Sequence, residues 1–246
     1  MASVACCLLL AAAVSARAQS PDAPAPAPAR AQSPDAPTPA PAPSAKTGIH
    51  YVYLVRHGIY DLDPAANDSV ANGLNALGHE QAKLIGARLA ALPIKFDRLV
   101  SSGLLRAVQT ADDMGAAMKM KPTRDAVLNE CTPTAYNASA LDGQKQADIV
   151  ACDSLRLVQW QRYFKPTPER DTFDVLVCHG NIIRWTFLRA LDADTKFWAK
   201  LDIGNASLTI IAIRADGTVR PVMYSDVGHL PVAKQTWSAK AGGWVK

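Results

Sequence analysis

Residues 53–61 read YLVRHGIYD. An apolar run, Tyr53 to Val55, stops at a cation, an imidazole and a glycine, so a buried strand delivers Arg56 and His57 to its own C-terminal end. The same pattern returns in DVLVCHG, residues 174–180, where an apolar run ends at His179. The other apolar runs are IHYVYLV (49–55, the full extent of the first), FDRLVSS (96–102) and SLTIIAI (207–213). The first three strands are nearly unbroken apolar runs of the kind found in sheets covered on both faces. Between them, segments 76–92, 104–118 and 148–164 carry apolar residues at helical spacing. Alternating strands and helices predict an α/β fold of three layers, a mostly parallel central sheet with helices on both faces. Ligands on such sheets bind beyond the strands' C-terminal ends, where both histidines stand.

The 246-residue chain is 49% hydrophobic, enough for a real core, and its formal charge of +4 is scattered. No basic stripe points to nucleic acid. Residues 1–18, MASVACCLLLAAAVSARA, read as a secretory signal peptide cut before Gln19, which places the mature protein in a periplasm or the medium. The apolar part is too short for a membrane span, which needs about 20 residues. ARAQSPDAPAPAP (16–28) recurs almost unchanged at 29–41, so residues 19–47 form a Pro/Ala-rich linker with a 13-residue duplication, and the folded domain runs over 48–246. Removing the leader would leave Cys131, Cys152 and Cys178, an odd number. A Cys131–Cys152 bridge is one option, and buried or free thiols are the preferred reading.

The α/β arrangement gathers Arg56, His57, Arg106 and His179 at one sheet edge. Two guanidiniums and two imidazoles make an anion site, and the planar arginine fork suits phosphate oxygens. No Cys/His spacing suggests a metal, and no cofactor is expected.

LVRHG (54–58), LGHEQA (77–82), SSGLLRAVQTA (101–111) and VLVCHGNIIR (175–184), in that order, resemble the histidine phosphatase superfamily with its phosphoglycerate-mutase-like fold. LNECTP (128–133) and NASLTIIAIRADGTV (205–219) are similar to its mitochondrial serine/threonine-protein phosphatase branch. The resemblance implies a metal-independent phosphomonoester hydrolase in which His57 takes the phosphoryl group as a phosphohistidine. Arg56, Arg106 and His179 would form the phosphate pocket, with Asn181 a further donor or a helix cap. Glu130 is the candidate acid, with Asp61 and Asp63 as alternatives. Arg184 is read as holding its helix, and His50, His79 and His229 as having no catalytic part. The implied partner is a phosphorylated substrate, small molecule or phosphoprotein. Mutase-type phosphoryl transfer and a non-catalytic phosphate-binding module are the alternatives. Ile59, after RHG, and Cys131, where the nearer branch has glycine, depart from the family pattern.

Overall fold

The computed structural model describes residues 47–167 and 169–237. The expected signal peptide and linker lie outside them, Thr47 excepted. Six strands form one sheet: β1 (His50–Arg56), β2 (Arg98–Ser101), β3 (Thr123–Arg124), β4 (Thr172–Cys178), β5 (Leu208–Ile213) and β6 (Val219–Asp226). The order across the sheet is β3-β2-β4-β1-β5-β6. The half from β3 to β1 is parallel, and β5 and β6 add antiparallel to the edge at β1. The sheet is therefore mixed, with the expected parallel pairing confined to β1 through β4. α4 also stands between β4 and β5, a connection long enough for either direction. β5 and β6 are joined by a short turn around Gly217, whose φ is +87°, and a short turn dictates antiparallel pairing.

Four helices flank the sheet: α1 (Ala76–Ala90), α2 (Leu105–Met118), α3 (Gln146–Tyr163) and α4 (Gly180–Ala190). Alternation along each strand sends successive side chains to opposite layers. Tyr53, Val55, Val175 and Val177 pack with Ile85 and Leu89 of α1 and Ala107, Ala111 and Met114 of α2. Val52, Leu54, Leu176 and Cys178 pack on the other face with Ile182 and Ile183 of α4 and Tyr163 of α3. No described helix is long and apolar enough to cross a membrane.

One reading of the sequence is corrected. Cys131 and Cys152 form a disulfide, with Cα atoms 5.7 Å apart, and Cys178 is the one free thiol among the described residues. Cys152 lies on the buried face of α3, which the fold lays against the loop holding Cys131; a separation of 21 residues along the chain could not show that. His50 has an ion-pair partner: its Nε2 meets Asp174 Oδ2 at 2.8 Å and its Nδ1 the Lys165 carbonyl at 2.9 Å. Asp174 also binds Arg98, and the hydrogen bonds from Arg98 and His50 hold its carboxyl down at about 2 against the cost of burial. The triad ties β1, β2 and β4 together at the end remote from the histidines.

The end that carries them is fixed by close backbone contact. A Cβ on Gly58 would lie 2.5 Å from the Gly78 carbonyl, and one on Gly78 would lie 2.0 Å from the Ile59 carbonyl. Only two glycines let the RHG turn and the start of α1 touch. Gly78→Ala is expected to lose about 1–3 kcal/mol through overpacking, outweighing the ~1 kcal/mol that alanine gains in a helix. Thermal unfolding reads this as a lowered Tm; an unchanged or raised Tm would show that the contact is dispensable.

Candidate active site

The parallel registers assemble the site. Arg56 of β1 pairs with Cys178 of β4, and Val177 of β4 pairs with Ser101 of β2. The next residues on β1 and β4 are therefore His57 and His179, level with each other, while Ser102 of β2 is level with Cys178, one residue short of them. The two imidazole centroids are 5.1 Å apart. α2 opens four residues after Ser101 and brings Arg106 over the same spot. The loop after the 3₁₀ turn Ala126–Leu128 brings Glu130.

Motif residues outside this set hold the turn. The Gly58 N–H donates to Thr110 Oγ1 at 3.1 Å, and the Ile59 N–H donates to Gln81 Oε1 at 2.9 Å. The His57 carbonyl accepts from the Ala206 N–H at 3.1 Å. The strand end has little freedom left.

His57 Nδ1 lies 2.8 Å from the Gly58 carbonyl. A carbonyl can only accept, so the proton sits on Nδ1 and the Nε2 lone pair is free. Burial, then Arg56 and Arg106, hold His57 well below its ordinary pKa. His179 is lowered likewise, by burial and by His57, Arg106 and Arg56. Both rings are neutral near pH 7, and a neutral imidazole with an exposed lone pair is a nucleophile.

The arginines keep donors in reserve. Arg56 gives Nη1 to the Ile203 carbonyl at 2.7 Å, and burial lowers its pKa to about 10. Arg106 gives Nη1 to Asp68 at 2.8 Å and lies 4.7 Å over the Tyr60 ring, which meets the His57 ring edge-on at 5.3 Å. Arg56 Nε, Arg106 Nε, His179 Nδ1 and Glu130 Oε1 are all buried without a hydrogen-bond partner among the described residues. Two guanidinium N–H groups, one imidazole nitrogen and one carboxyl oxygen are thus left unsatisfied, which costs about 1–3 kcal/mol per group unless a ligand completes them.

Burial raises the Glu130 pKa, opposed by Arg184, Arg106 and Arg56 and by a hydrogen bond from the Asn181 N–H. Its loop is tethered from several sides. Cys131 is bridged to α3, and the Asn181 amide donates to the Cys131 carbonyl at 3.1 Å. Arg156 of α3 donates to the Val127 carbonyl at 2.8 Å, and Asp153 accepts from the Thr134 N–H at 3.0 Å.

Of the residues expected from the sequence, Arg56, His57, Arg106, Glu130 and His179 come together. The Asn181 side chain faces Cys131 on one side and Arg184, at 2.5 Å, on the other. His179, not Asn181, occupies the cap position of α4. Asp61 and Asp63 are exposed and bonded within their own loop, Asp61 to Asn75 and Asp63 to the Ala65 N–H. Arg184 does more than hold its helix: it orients Asn181 and lies 4.7 Å over Trp198. Tyr60, Asp68 and Ser102 were missed. Ser102 stood within a quoted motif, whereas no sequence pattern marks Asp68.

Comparison with known proteins agrees with this geometry. The model of the histidine phosphatase superfamily (branch 1) matches residues 52–172 and 154–225. The Caenorhabditis elegans mitochondrial serine/threonine-protein phosphatase Pgam5 is 33% identical over 195 residues, covering 76% of this chain and 66% of that protein. Its human counterpart is 30% identical over 194 residues, with the same coverage. The chain thus spans about 66% of the length of these relatives. Among solved structures, phosphoglycerate mutase from Bacillus anthracis superposes with a TM-score of 0.57 at 19% identity, covering 77% of this chain and 97% of that one. The mycobacterial glucosyl-3-phosphoglycerate phosphatase bound to inorganic phosphate gives 0.53 at 20% identity, covering 74% and 99%.

These relatives also overturn the expected signal peptide and periplasmic or secreted location. They are mitochondrial proteins. By the ordered motifs, the strand-end histidines and the family match across most of the described residues, the chain belongs to the histidine phosphatase superfamily.

Proposed function

We propose that the protein hydrolyses phosphomonoesters through a phosphohistidine on His57, with serine/threonine phosphoproteins as its substrate class. The observation that carries this reading is the set of buried, unpartnered atoms around His57: three donors suited to phosphoryl oxygens and one carboxyl oxygen. In the first half-reaction, Nε2 of His57 attacks phosphorus while the bond to the leaving oxygen breaks, and Glu130 gives its proton to that oxygen. In the second, Glu130 takes a proton from water as the water oxygen attacks phosphorus and the bond to Nε2 breaks. Arg56, Arg106 and His179 hold the three equatorial oxygens, where phosphoryl transfer concentrates charge.

A cavity of about 530 Å³ opens beside Arg56, lined among others by Tyr60, Asn137, Asp142, Trp198 and Trp237. It has room for a phosphorylated side chain with flanking backbone. The serine/threonine phosphatase relatives support the protein class of substrate. A non-catalytic phosphate-binding module would have no use for a buried carboxyl of raised pKa beside the nucleophile, and Glu130 is such a group.

The positive charge that the transition state needs comes from side chains, so turnover is expected to survive EDTA and to be blocked by vanadate, which imitates five-coordinate phosphorus. Loss of activity in EDTA, restored by a divalent ion, contradicts this. Glu130→Gln is expected to slow a phosphoserine peptide by about 100-fold or more, the range of general acid catalysis. p-Nitrophenyl phosphate, whose leaving group needs little protonation, should slow by less than about tenfold. Equal slowing of both esters would remove Glu130 from the acid role.

A further inference from the structure

Ser102 has no part in the reaction as written, yet it makes the closest polar contact to the second histidine. The β2–β4 pairing sets it there: the Ser102 N–H donates to the Val177 carbonyl at 3.0 Å, two residues before His179. Ser102 Oγ lies 2.6 Å from His179 Nε2, and both residues are fully buried. The same Oγ accepts the Leu104 N–H at 3.3 Å, at the start of α2. A hydroxyl oxygen that already accepts a backbone N–H has its own proton to give, and the near atom is Nε2. Nε2 is then the acceptor, and in a neutral imidazole the one proton resides on Nδ1. Nδ1 is buried among the phosphate-facing groups with no partner.

We propose that Ser102 is a positioning residue that fixes His179 in the Nδ1–H tautomer, so that a neutral imidazole donates to a phosphoryl oxygen. The proposal rests on the phosphatase reading above. His179 then supplies a hydrogen bond without adding a cation next to His57, whose lone pair must stay free. The groups that face His179 are Arg56 and His57 at the end of β1, Arg106 from α2 and Arg156 from α3; after burial, each of them opposes a second proton on the ring.

Removing the hydroxyl frees Nε2 to take the proton, which turns the Nδ1 lone pair toward the phosphoryl oxygen. Nδ1 then donates only when the ring is fully protonated. With p-nitrophenyl phosphate, Ser102→Ala is expected to lower kcat/KM about 10- to 100-fold at pH 7.5, the loss of one charge-assisted hydrogen bond. Its pH optimum should move to lower pH. Ser102→Thr, which keeps a hydroxyl, should restore rate and optimum. Nitrogen-15 NMR of histidine-labelled wild type, with the His179 signals identified by their absence in His179→Gln, should show a protonated Nδ1 and an accepting Nε2. Nε2–H in the wild type, or a Ser102→Ala enzyme whose optimum does not move, overturns the proposal. If Ser102→Ala does not fold, the wild-type spectrum decides alone. That spectrum reads the tautomer whether or not a phosphohistidine forms, so it separates failure of this proposal from failure of the phosphatase reading.

Discussion

The parallel pairing of β1 with β4, in the register that sets Arg56 against Cys178, is the constraint from which the site follows. It ends two strands at one level, so the residue after each is a histidine and the two rings meet without any loop having to place them. β2 ends beside them, with Ser102 level with Cys178, and α2 turns back from there with Arg106. A slip of one residue would send one imidazole to the opposite layer of the sheet. The contact between Gly58 and Gly78 locks the turn that follows, and Thr110 and Gln81 take up its N–H groups.

Burial gives this geometry its chemistry. Removing the site from water keeps both imidazoles neutral and raises the Glu130 carboxyl, the direction that favours a proton on it. The same desolvation makes the cations costly. Arg56 and the fully buried Arg156 are both pushed down to about 10, and among the described residues Arg156 gives its hydrogen bonds to neutral groups, Gln159 and the Val127 carbonyl. A buried excess of positive charge is resolved by a multiply charged anion. The fold thus holds its site ready for phosphate at the expense of local stability, as preorganised electrostatic sites do.

How much of this was legible follows from what each feature depends on. Strands that end in Arg-His-Gly and His-Gly announce themselves, because an apolar run broken by charge is a local pattern; β1, β4 and the helices α1, α2 and α3 lie within a few residues of where periodicity put them. The antiparallel edge was not visible, since strand composition does not record pairing direction and the helical connection from β4 to β5 is long enough for either. The Cys131–Cys152 bridge and the His50–Asp174 pair were hidden for a related reason: both join segments far apart in the chain that only packing brings together. Glu130 was reachable by resemblance alone, because nothing local distinguishes a buried loop glutamate from a surface one. Asp68 and Tyr60 lie in a loop with no periodicity, and their contacts to Arg106 exist only in the folded chain.

The account stands on covalent chemistry at His57. Its most direct test is a rapid alkaline quench of the wild-type protein turning over a radiolabelled phosphoester, conditions under which an acid-labile phosphohistidine survives. Label is expected on the peptide that contains His57, and none in His57→Ala, which should stay folded and inactive. Label on another residue, or full turnover by His57→Ala, would contradict the mechanism.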